Sequence, residues 1–133
     1  MKYPYVMVFV LSALLARPTW AGQSKHRITV TFDYDFTHQP PCSADSKNSK
    51  DEKTKDCIQE FVAYDISAGL QKRTKLISIP AAQDAHGLVK GITATTPLLL
   101  FETGKHLIAV VAQTPTGRES DPNQCSAWVN IPD

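Results

Sequence analysis

The chain has 133 residues, enough for one hydrophobic core and too few for two. Its 14 Lys and Arg against 13 Asp and Glu leave a formal net charge of +1. That balance lacks the basic excess by which proteins hold nucleic acid or an anionic membrane, so neither is an expected partner.

The first 21 residues read as a signal peptide. Lys2 supplies a positive start, residues 6–16 (VMVFVLSALLA) form an apolar run, and Thr19 and Ala21 suit cleavage before Gly22. The run is shorter than the roughly 20 residues that span a bilayer, so no membrane insertion is expected once it is removed. Removal leaves residues 22–133, about 112 residues with 12 basic and 13 acidic side chains, the size of one domain.

Residues 26–37 (HRITVTFDYDFT) alternate cleanly. Ile28, Val30, Phe32, Tyr34 and Phe36 share one face, opposite Arg27, Thr29, Thr31, Asp33 and Asp35. This predicts a strand with one buried and one wet face. Asp33 and Asp35 resemble a carboxylate pair, but no glycosidase or metal-loop context surrounds them, and a solvated face is the expectation.

Residues 38–56 hold two prolines, Cys42 and intermingled charges, with no hydrophobe larger than Ala44. Such a stretch cannot bury apolar area and reads as a charged loop. Cys42 and Cys57 bracket it. Export favours a disulfide between them, worth about 3 kcal/mol in the loop-entropy model. A zinc site from Cys42, Cys57 and His38 lacks the closely paired ligands such sites show, so no metal is expected.

Residues 57–67 predict a strand that Phe61, Val62, Ala63 and Tyr64 make apolar on both faces. Ala68 and Gly69 turn it, and residues 74–79 predict a short strand ending at Pro80. Residues 81–86 form a polar loop with His86 on the surface. Residues 87–96 predict a strand with an irregularity at Gly91. After Pro97, residues 98–101 (LLLF) are the densest apolar cluster beyond the leader.

Residues 105–113 alternate apolar side chains on both faces, as a central, doubly covered strand does. A loop with Pro115, Gly117, Asp121, Pro122 and Asn123 follows, and then a closing strand over residues 126–131. Short strands closed by turn residues, with no sustained helical period, predict an all-β, two-sheet antiparallel β-sandwich. Ile28, Val30, Phe32, Phe61 and Leu100 are expected in its core, with Ile108, Val110, Ala112 and Trp128.

Ile108-x-Val110-x-Ala112, then Gly117-x-Glu119-Ser120-Asp121-Pro122, then Trp128-x-x-Ile131-Pro132 resembles the F and G strands of a fibronectin type III domain. The resemblance implies an immunoglobulin-like sandwich of about seven strands over residues 22–133. Ile28, Val30 and Phe32 resemble the family's second strand, with Phe32 where a tryptophan is usual. Leu100 resembles the leucine before strand F. His106 stands where the family has a tyrosine whose hydroxyl bonds backbone. Either a ring nitrogen makes that bond or the corner is missing. The family's receptor-binding Arg-Gly-Asp is not matched by Gly117-Arg118-Glu119-Ser120-Asp121. The resemblance also implies that residues 38–56 and the F–G loop meet at one pole. That brings Cys125 within reach and makes Cys57–Cys125 the alternative bridge.

No nucleophile elbow, metalloprotease motif, phosphate loop or Cys-x-x-Cys is present, and the four histidines are scattered. The expectation is a secreted, non-enzymatic module, extracellular or periplasmic, without cofactor. It would bind an unknown protein or surface ligand through a loop carrying Arg118, Glu119, Ser120 and Asp121. The alternative is an assembly protein, joined through the odd cysteine as a Cys-linked dimer or through an edge strand. A small secreted enzyme is the remaining reading.

Overall fold

Inward and outward residues alternate along most of this chain, and the alternation builds two sheets. The computed structural model describes residues 10–20 as backbone and residues 22–42 and 57–132 in full. Residues 1–9 and 21 of the expected leader, with its cleavage position, lie outside the described residues, as do residues 43–56 of the charged loop.

The strands are β1 (Val10–Trp20), β2 (Gln23–Asp35), β3 (Glu60–Asp65), β4 (Thr74–Pro80), β5 (Leu88–Thr95), β6 (Leu99–Glu102), β7 (Gly104–Gln113) and β8 (Ser126–Ile131). One sheet runs β1-β2-β5 with β6 also on β2, and the other runs β4-β3-β7-β8. All pairings are antiparallel. Val30 faces β1 on one edge and β5 on the other, and Ser24 faces β1 and β6. β5 and β6 therefore share a lane, and the two sheets form the expected β-sandwich. No helix among the described residues is long and apolar enough to cross a membrane.

Ile28, Val30, Phe32 and Tyr34 of β2 are fully buried against Phe61 and Ala63 of β3 and Ile108, Val110 and Ala112 of β7. Phe61 meets Phe32 and Tyr34 edge-on at 5.0 and 5.1 Å, the geometry that aligns ring edges with π faces. β3 and β7 are apolar on both faces, as predicted. Their outer face buries Val62, Tyr64, Ile66, Ala109 and Val111. Part of its cover is polar: Arg73 lies 4.1 Å over the Tyr64 ring and pairs with Glu119 at 2.8 Å.

The irregularity expected at Gly91 is present. Phe32 faces Ile92 but Tyr34 faces Val89, so β5 carries one extra residue there, and Gly91 takes φ +72°. Asp33 caps this bulge by accepting the Gly91 amide at 2.9 Å. Asp35 instead accepts the Thr37 amide and hydroxyl. The two carboxylates are thus engaged separately by backbone. At Pro97 the lane breaks, and buried Thr96 bridges the gap: its Oγ accepts the Ile28 amide at 3.0 Å and its own amide donates to Ile28 O at 2.9 Å.

Two expected core residues lie outside. Leu100 is 53 % exposed and Trp128 65 %. Register explains both. Directly paired residues share a face of the sheet. Leu100 pairs with outward Lys25, whereas Leu99 and Phe101 pair with inward His26 and Ser24. Trp128 pairs with Leu107 on the outer face of β7, which leaves Val129 and Ile131 to face the core.

Cys42 and Cys57 form the disulfide, with Cα atoms 4.9 Å apart, and the alternative Cys57–Cys125 bridge does not form. Between its two flanks Ile58 is fully buried, and backbone bonds between Ile58, Pro40 and Cys42 seal the root of the loop.

Candidate functional site

β4 is the edge of one sheet and the β5–β6 lane the edge of the other. A cleft of about 420 Å³ opens between β4 and β6, beside the turn that follows β3. Leu76 and Phe101 are buried along it and Leu99 is half-buried. Leu100, Lys72, Lys75 and Glu102 are among its exposed members. Five apolar and seven polar or charged residues share the lining, and a concave surface that mixes the two is a candidate binding site.

One side of the cleft carries an ordered polar cluster. His106 Nδ1 lies 2.6 Å from Asp65 Oδ2, and Nε2 lies 2.6 Å from the Glu102 carbonyl oxygen. Each ring nitrogen thus faces an acceptor oxygen. Phe101 meets the imidazole edge-on at 5.7 Å. The Asp65 carboxylate also accepts the Ser67 amide at 3.0 Å and the Ser67 hydroxyl at 2.5 Å. Burial opposes ionisation of Asp65, but the hydrogen bonds from Ser67 and His106 outweigh it. Its carboxyl is held below the usual value.

The bond from His106 to Glu102 O, four residues upstream, is the backbone bond expected of a ring nitrogen at this position. The sequence left open whether His106 makes this bond or the corner is missing, and it did not point to Asp65 and Ser67. The signal was Asp65-Ile66-Ser67, a strand-end Asp-x-Ser that repeats the pattern of Asp35-Phe36-Thr37.

A serine, a histidine and an aspartate meet here, yet in an order that does not run a triad. A histidine base needs a nitrogen lone pair facing the nucleophile. His106 directs both nitrogens at acceptors, and Ser67 Oγ donates to Asp65 while accepting the Leu107 amide at 2.9 Å.

The four loop residues singled out from sequence are divided by the structure. Arg118 and Asp121 are exposed. Glu119 is engaged by Arg73 and by Gln113 Nε2 at 2.7 Å. Ser120 is 2 % exposed, and its hydroxyl accepts the Ala112 amide at 2.8 Å. Asp121 caps the short helix over Pro122–Gln124 through the Asn123 amide. Gly117 takes φ +88° in the turn, as expected. The loop is on the pole opposite the cleft, where β2 ends and β3 begins.

Cys125 is the free cysteine among the described residues and is 2 % exposed. Burial pushes its thiol up to about 12, against a smaller opposing effect of the Val110 backbone. A thiol so placed is protonated and shielded from solvent in the folded chain. The disulfide consumes both thiolates of the metal reading. No three His, Cys, Asp or Glu among the described residues converge on a metal position. The chain matches no family model, no curated protein and no solved structure.

Proposed function

We propose that the protein is a secreted, non-enzymatic binding module of the fibronectin type III kind, and that the cleft between β4 and β6 receives a group of its protein or surface partner. The cleft carries this reading: Leu76, Leu99 and Phe101 offer apolar contact, and Lys72 and Lys75 offer charge to an anionic group. The polar cluster serves this role as a fixed wall. Its titratable groups are engaged with each other and with backbone, which favours holding a ligand over transforming one. Export is supported by the leader pattern and by the disulfide, which persists in oxidising compartments. Kinship is supported by the F–G residues, the two-sheet topology and the His106–Glu102 bond.

The probe for this reading is 8-anilinonaphthalene-1-sulfonate, an apolar anion of suitable size. The exported protein binds it with enhanced fluorescence, and Leu100→Asp with Lys75→Glu abolishes the signal while leaving the melting curve intact. Equal binding by that double variant and the parent rejects the cleft as the site.

A further inference from the structure

The expected leader is also a structural element. Its residues Val10–Trp20 form β1, the edge strand beside β2. The pairing runs from Val10 opposite Thr31 to Trp20 opposite Gln23. β1 also lies against β8, so it closes the sandwich on the side opposite the cleft. If export removes residues 1–21, the sandwich loses a whole lane and keeps the other strands.

The vacated edge is open to pairing with another strand. Over residues 23–31, β2 would expose a row of unpaired amides and carbonyls about 30 Å long, at roughly 3.3 Å per residue. Ser24, His26, Ile28 and Val30 alternate along it, all fully buried while β1 is present. Edges of this kind are templates for another strand, and proteins blunt them with proline, bulges or charged side chains, of which this edge has only Lys25 and Arg27. Residues 23–31 contain no proline, and both irregularities of the pairing put their extra residue on β1, on either side of Pro18.

We propose that the leader-free protein docks an extended strand of a partner protein along the edge of β2. The partner strand is apolar opposite Ile28 and Val30 and acidic opposite Arg27. β1 defines the first requirement, since Ala13 and Leu11 stand at those positions. Charge defines the second. Lys25 and Arg27 are exposed on the outer face, and neither makes an ion pair among the described residues. Across from Arg27 the leader offers only Leu14. Main-chain pairing supplies affinity in such strand addition, and alternate side chains supply selectivity.

The inference rests on the reading that the leader is removed, and the test separates the two. Intact mass of the exported protein comes first. A start at Gly22 supports export with cleavage, and retention of residues 1–21 overturns that reading together with this one. The mature protein is then titrated with two synthetic peptides of residues 10–20, carrying Leu14→Glu or Leu14→Lys, and amide hydrogen exchange is followed. The expected result is slowed exchange across residues 23–31 and tighter binding of the Glu peptide. A cross-strand charge pair at this position is worth about 1.4-fold to fivefold in affinity. Arg27→Glu in the protein reverses the preference. Equal affinity for both peptides, no protection of β2, or a homodimer that protects β2 by itself overturns the proposal.

Discussion

Replacing Asp65 with alanine tests the cluster that walls the cleft. The carboxylate accepts three hydrogen bonds, from the Ser67 amide, the Ser67 hydroxyl and His106 Nδ1. Bonds to a charged acceptor are worth about 1.5 kcal/mol each at the low end. Ser67 is exposed, so water replaces its share, and the His106 pair is 12 and 14 % exposed. The net cost of Asp65→Ala is therefore about 2 kcal/mol at pH 7, a fall in Tm of roughly 8 °C for a domain this size. The cost has a pH signature. The Asp65 carboxyl is held low in the folded protein, so its contribution is complete above the ordinary unfolded value of about 3.9. As pH falls through the lower folded value, that contribution is lost. Urea unfolding of both proteins at pH 7 and pH 3 measures it. The stability gap narrows at pH 3. A gap of the same size at both values, or none at pH 7, refutes the assignment of the stabilisation to an ionised Asp65.

Ser120→Ala strips the Ala112 amide of its side-chain acceptor in the core and costs about 1–3 kcal/mol by chemical unfolding, although the residue sits in a surface loop. Paired Cys42→Ser and Cys57→Ser substitutions remove a bridge of sequence separation 15 and lower stability by about 3 kcal/mol, measured in the same way without reductant. A thiol reagent at neutral pH labels no cysteine of the folded, unreduced protein and labels Cys125 alone once it unfolds. Trp128→Asp keeps the parent melting curve within about 0.5 kcal/mol, whereas Val129→Asp abolishes folding, because a buried carboxylate has no partner there.

Strands with a plain pattern were legible. β2 alternates along its length, and β7 is apolar on both faces, so their burial could be read without knowing any partner. The bulge at Gly91 was legible because glycine inside a strand marks an extra residue or a close approach. Leu100 and Trp128 were misplaced for a common reason. Hydrophobicity places a residue in a strand, but the face it takes is set by the residue across the ladder, here Lys25 and Leu107. The leader's apolar run carries no period-2 signal, so β1 was not foreseen. In the loop singled out for binding, the sequence did not show what Glu119 and Ser120 are engaged by. Glu119 answers Arg73, far away in the chain, and Ser120 answers the backbone of the strand before it. The cluster of Asp65 and His106 joins residues 41 positions apart, which meet only through the pairing of β3 with β7.

The most direct test of the cleft is an amide chemical-shift map of the protein titrated with 8-anilinonaphthalene-1-sulfonate. The largest changes are predicted at Ser67, Lys75, Leu100 and His106, which border the cleft from both sheets. Changes confined to Arg118 and Asp121 on the opposite pole, with the cleft silent, would contradict the account and return recognition to the loop.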